Sequence, residues 1–122
     1  NLYTTDVAGS FIKLSSITTN DYEQKVIDEY SGYLVIDAEI IEYDGIEYFY
    51  KTSDGSTVNV IVENNADVLK FLGLGAVGSD KTGRTGRVRI KTRGAFGTTP
   101  ANHYAAAEDI INSWSGFEVS WV

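Results

Sequence analysis

His103 is the chain's one histidine, and the cations Arg84, Arg87, Arg89, Lys91 and Arg93 crowd into a short stretch just before it. Acid–base catalysis by a lone histidine needs a positioned partner. If His103 works beside an arginine such as Arg93, the pair could stabilise a developing negative charge, as in a small, toxin-like nuclease or hydrolase. The competing role for the same residue is a histidine at the edge of the core. It falls in the first turn of a helix expected from Thr99-Pro100, and Ala107, Ile110 and Trp114 follow it at helical spacings of four, seven and eleven.

The carboxylates offer a second chemistry. Asp37 and Glu39, two residues apart, share a face of a predicted strand, and with Glu47 from the next strand they make an oxygen set suited to magnesium or calcium. Acids on a strand's solvent face otherwise stay hydrated or pair with cations. The sequence has no EF-hand loop, H-E-x-x-H or G-x-S-x-G motif, and it has no cysteine to serve as nucleophile, disulfide partner or thiolate ligand. Gly73, Gly75 and Gly78 spell G-x-G-x-x-G, but a helix precedes them and a basic strand follows, the reverse of the order that dinucleotide binding needs. No catalytic residue, metal or cofactor is therefore assigned, and the expectation leans non-enzymatic.

The cations carry more information. Arg87, Arg89, Lys91 and Arg93 alternate with Val88, Ile90 and Thr92, so a strand here is positive on one face and largely apolar on the other. Residues 1–66 hold twelve acids and three bases, residues 67–122 five acids and seven bases, in a chain of net charge −7. Asp37, Glu39, Glu42, Asp44 and Glu47 gather on or beside one predicted hairpin. Three roles for the basic strand follow. It can pair with the acidic hairpin in the same sheet, meet the acidic face of another copy, or bind an anion or nucleic acid. The negative whole-molecule field, and Phe96 as the one aromatic residue near the cations, weigh against nucleic acid.

The elements that must position these residues are legible in the periodicity. A strand begins near Phe11. Asn20 with Glu23 suggests a capping box and a helix over 21–31. The run from Tyr33 to Asn64 reads as a three-strand meander turning at Asp44-Gly45 and Ser53-Asp54-Gly55. A short helix from Asn65 or Ala66 to Leu72, with Val68, Leu69 and Leu72 inward, a strand at 87–93, a helix over 100–114 and a last strand at 117–121 follow. The expected fold class is α+β: a mostly antiparallel sheet with a three-strand meander and two main helices packed on one face.

At 122 residues, 43% hydrophobic and 22% charged, the chain reads as a single domain spanning 1–122, with residues 1–10 as an extended N-terminal arm. No run of eighteen apolar residues is present, so no membrane-spanning helix is expected. The chain starts at Asn1, which suggests either processing or a start downstream of the natural one. The expected setting is extracellular or in a virion, with a cytoplasmic one open. Taken together, the expected function is that of an acidic structural protein that self-associates into a homo-oligomer. Its interface would join Arg84, Arg87, Arg89, Lys91 and Arg93 of one copy to Asp37, Glu39, Glu42 and Glu47 of another. The alternatives are an anion- or nucleic-acid-binding module using strand 84–93, and a hydrolase centred on His103.

Overall fold

The computed structural model describes residues 1–14, 30–51, 57–73, 82–105, 107–109 and 114–122. Its main body is a curled antiparallel sheet in a half-barrel. In chain order the elements are β1 (Phe11–Leu14), β2 (Gly32–Ile36), β3 (Glu39–Lys51), β4 (Thr57–Val62), α1 (Asn65–Gly73), β5 (Thr82–Thr92), β6 (Ala107–Asp109), β7 (Trp114–Gly116) and β8 (Ser120–Trp121), with a single 3-10 turn at Ala95–Gly97 after β5. The strands lie side by side as β1-β5-β3-β2-β8, while β4 pairs with the C-terminal half of β3, and β6 and β7 form a separate two-stranded pair. The C-terminal segment reaches both margins of the sheet. Phe117 bridges to Leu14, and Ser120 and Trp121 pair with Val35 and Leu34.

Period-two alternation sorts the side chains between the two faces. On β1, Ile12 and Leu14 are buried while Phe11 and Lys13 face solvent. Leu34 and Ile36 of β2, Ile41, Tyr43 and Ile46 of β3, Val62 of β4 and Val88 and Ile90 of β5 line the inside of the curl, where Leu2 and Phe117 join them in one apolar cluster. The cation-bearing strand therefore forms as its alternation requires, with its apolar face inward.

Two features of the expected fold are corrected. The α+β architecture with two main helices gives way to a mostly antiparallel β structure. Among the described residues α1 is the one α-helix, and its Leu69 is 71% exposed rather than inward. Among the described residues of the 100–114 range, where a helix was expected, none is helical. His103 instead forms an antiparallel bridge with Leu2, and Ala107–Asp109 pair with Trp114–Gly116. Pro100 could have opened a helix, but the backbone of His103 is taken by Leu2, whose amide donates to the His103 oxygen at 2.8 Å and whose oxygen accepts from the His103 amide at 2.6 Å. These long-range partners outweigh the helical propensity of the alanine-rich run, a weak prior by comparison. The helix expected over 21–31 lies almost entirely outside the described residues.

The second correction moves a turn. Asp44-Gly45 does not end a strand, because β3 runs through it. The tight turn lies at Asp37-Ala38, with Asp37 at φ 54°, a left-handed conformation that aspartate tolerates better than most side chains. Asp44-Gly45 forms a bulge instead. Tyr43 faces Ile90 and Ile46 faces Val88, so three steps along β3 match two along β5. The extra residue reverses the facing of β3. Before the bulge Glu39, Ile41 and Tyr43 share the inward phase, and after it Ile46 points in while Glu47 points out. Gly45 has a specific reason to lack a side chain, since a Cβ there would lie 3.2 Å from the Arg89 guanidinium, which crosses the bulge.

Candidate functional site

The bulge divides the charged residues into two groups. On the outer face, Arg87 on β5 sits directly opposite Glu47 on β3, and its Nε donates to the Glu47 carboxylate. The same guanidinium covers the Phe11 ring at 4.3 Å. Arg89 donates from Nε to Asp44 Oδ1 at 3.1 Å, from Nη2 to the Asp44 carbonyl at 3.0 Å and from Nη1 to Glu63 Oε1 at 2.7 Å. The hydrogen bond to Asp44, against the opposing effect of burial, raises the pKa of this already strong base further. Lys91 lies 3.6 Å from Glu42 and is the most exposed cation of the group, at 56% of its side chain. Arg84 lies on β5, and its side chain is outside the described part of the structure.

The second group closes one end of the curl. Glu39, on the inward phase of β3, is 1% exposed, and its carboxylate is met from several sides by polar groups. Arg93, just past β5, grips it with two prongs, Nε to Oε2 at 2.7 Å and Nη2 to Oε1 at 2.9 Å. The amides of Gly94 and Ala101 donate to the same carboxylate, each at 3.0 Å. His103 Nε2 lies 2.7 Å from Glu39 Oε1, and its Nδ1 lies 2.7 Å from Asp37 Oδ2. Burial pushes the Glu39 carboxyl up, but the hydrogen bonds from Arg93, His103, Ala101 and Gly94 outweigh it and hold the pKa at about 2.

The cluster is saturated. Arg93 uses its remaining donors on backbone oxygens, those of Tyr3 at 2.6 Å, Asp6 at 2.9 Å and Ala101 at 2.7 Å. Both ring nitrogens of His103 are engaged by carboxylates, and the side chain is 1% exposed, so neither nitrogen is open to a substrate.

Asp37 and Glu39 do not share a strand face, since Asp37 lies in the turn that precedes β3; both reach His103, and Glu47 lies on the opposite face of the sheet. Among the described residues no group of three or more acidic, histidine or cysteine side chains could hold a metal ion. Sequence reasoning saw His103 and Arg93 as neighbours, and it missed that Glu39 joins them. The signal was alternation, since Glu39 shares the parity of the buried Ile41 and Tyr43.

A third set of residues has no counterpart in the motifs. Phe96 sits at φ 55° between Gly94 and Gly97, both also at positive φ, and is 72% exposed. Its ring packs on Tyr33 at 4.7 Å between centroids. A bulky residue in this conformation costs about 1–3 kcal/mol, a strain that native structures retain chiefly at functional positions. No family model, curated protein or solved structure matches this chain. Its functional reading therefore rests on the geometry.

Proposed function

We propose that this protein is a non-enzymatic structural domain that self-associates, with exposed aromatic side chains as the contact and the charge pairs as its internal frame. The observation that carries the reading is Phe96, a large apolar side chain held out to solvent by a strained backbone. It has company. Of the eight exposed large hydrophobic residues among the described ones, Tyr3, Val7, Phe96 and Tyr104 lie in the N-terminal segment or in the 93–105 stretch that it packs against. Aromatic residues gathered in this way mark interface cores more often than free surface.

The charge arrangement supports the same reading. Arg87, Arg89 and Arg93 already face carboxylates of their own sheet, so a second copy or a nucleic acid would have to displace those partners. Charge complementarity between copies then plays the lesser part, through exposed groups such as Lys91.

The test is sedimentation velocity over a range of concentrations for the wild type and for Phe96→Asn. Asparagine accepts the left-handed conformation, so the substitution removes the ring without straining the turn. Association that weakens at least tenfold in the variant is the expected result. A wild type that stays monomeric, or association unchanged by the substitution, contradicts the reading.

A further inference from the structure

The N-terminal segment is attached to the domain in a particular way. Among the described residues, the hydrogen bonds that residues 1–6 make outside the segment all go to the 93–105 stretch. Leu2 and His103 exchange two backbone bonds, and Thr4 donates to Asn102 Oδ1 at 2.9 Å. Ala105 donates to Asn1 Oδ1 at 3.1 Å, and Arg93 holds the carbonyls of Tyr3 and Asp6. One side chain of the segment enters the core, Leu2, at 2% exposure.

The segment also has its own local fold. Asp6 Oδ2 accepts from the Tyr3 amide at 2.8 Å, and the Asp6 amide donates back to the Tyr3 carbonyl at 2.9 Å. The chain joins the main sheet only at Gly9, whose amide donates to the Ile90 carbonyl at 2.9 Å. Between the two, Val7, Ala8 and Gly9 form an exposed turn closed by the Ser10 amide, which donates to the Val7 carbonyl at 3.0 Å; Gly9 has φ 93°, and a Cβ there would meet nothing within 4 Å. A plug and an exposed turn that contains a glycine are thus arranged in series.

From this arrangement we infer that the N-terminal segment is exchanged between copies of the chain: residues 1–6 of one molecule pack on the 93–105 stretch of another. The inference rests on the self-association proposed above and names its contact. Exchange keeps every bond between residues 1–6 and the 93–105 stretch, because the plug and the stretch that receives it are identical in each copy; the turn at Val7–Ser10 is what has to open. The occupant is another copy because the exposed apolar residues are found on both sides of this contact. Tyr3 and Val7 belong to the plug, and Phe96 and Tyr104 to the stretch that receives it. Bringing a second domain against that stretch covers them, a gain that the closed monomer lacks. The receiving site also suits a chain of net charge −7, because Arg93 binds the incoming backbone through carbonyl oxygens and like-charged side chains need not meet.

The absence of cysteine from the sequence makes the test clean. Thr4→Cys and Asn102→Cys, both at exposed positions, place thiols across the contact, and the double variant is oxidised at a concentration where the wild type is multimeric by light scattering. Covalent dimers and higher species on a non-reducing denaturing gel are expected. Disulfides confined to single chains, in a protein that is still multimeric, overturn the exchange and leave self-association standing. A wild type of monomer mass overturns both. Should the double variant fold poorly, a mixture of the two single variants serves: a mixed disulfide between the two chains supports exchange, and its absence from an assembled mixture refutes it.

Discussion

Replacing Glu39 by glutamine changes one atom of the buried cluster and removes its negative charge. At neutral pH the carboxylate accepts five hydrogen bonds, two of them from a guanidinium that is itself 7% exposed. An amide turns one acceptor into a donor that faces other donors, and leaves Arg93 without its counter-charge. Breaking one side of a buried pair costs about 3–5 kcal/mol.

The pH dependence supplies the sharper test. The Glu39 pKa falls from 4.5 in the unfolded chain to about 2 in the folded one, so the unfolded state binds the proton first as the solution is acidified. The stabilisation from this group is fully present above pH 4.5 and is lost as pH falls through 2. At 1.36 kcal/mol per pH unit it amounts to about 3 kcal/mol. A protonated glutamate and a glutamine are alike in charge and shape, so the two proteins should converge at the acid end. Urea denaturation of wild type and Glu39→Gln at pH 7, 5, 4, 3 and 2 measures the gap, which should narrow by about 3 kcal/mol across the series. A gap that stays constant with pH would refute the assignment of Glu39 as the ionised hub.

Three further outcomes follow from the same geometry. Arg87→Ala should destabilise the fold by about 2 kcal/mol, because it strips the guanidinium from a Glu47 that is 4% exposed while Arg87 itself is about a third exposed; the exchange Arg87→Glu with Glu47→Arg should recover part of this in a double-mutant cycle by urea denaturation. Reversing Arg87 and Arg89 to glutamate should lower the melting temperature sharply, so dissociation of that variant would not by itself mark these arginines as an interface; circular dichroism melting separates the two effects. Gly94→Ala should cost about 2 kcal/mol or more, since φ is 59° and a Cβ would lie 2.6 Å from the Thr98 carbonyl oxygen, whereas Gly45→Ala should cost under about 1 kcal/mol because the Arg89 side-chain end can yield; paired thermal melts check the contrast.

Much of the sheet could be read from the sequence, because alternation records burial directly. Ile12 and Leu14, Leu34 and Ile36, and Val88 and Ile90 are buried at the positions their spacing indicates. Pairing of the basic strand with the acidic hairpin in one sheet was one of the three roles open to it, and Arg87 faces Glu47 in that way, whereas the expected interface had set the two on different copies. What failed was local punctuation. Asp-Gly suits a hairpin turn and a bulge alike, and the choice at Asp44-Gly45 is made by β5, forty residues further on, whose Arg89 crosses the glycine. Asp37-Ala38 carries no strong turn signal, so the true turn was hidden. Thr99-Pro100 met every local rule for starting a helix, yet the backbone of His103 is held by Leu2, a partner at the far end of the sequence. The candidate site followed the same pattern. His103 and Arg93 stood out by type, but Glu39 was read with the acids of a solvent face, although the buried Ile41 and Tyr43 share its parity.

The most direct measurement of the central claim is the solution molar mass by light scattering, taken at low and at high salt. With Arg87, Arg89 and Arg93 facing carboxylates of their own sheet and the contact made by an exchanged segment and exposed aromatic rings, the same multimer should persist at both. A monomer at every concentration would contradict the account. So would a multimer that falls apart in high salt, since that would return the interface to the charged strand.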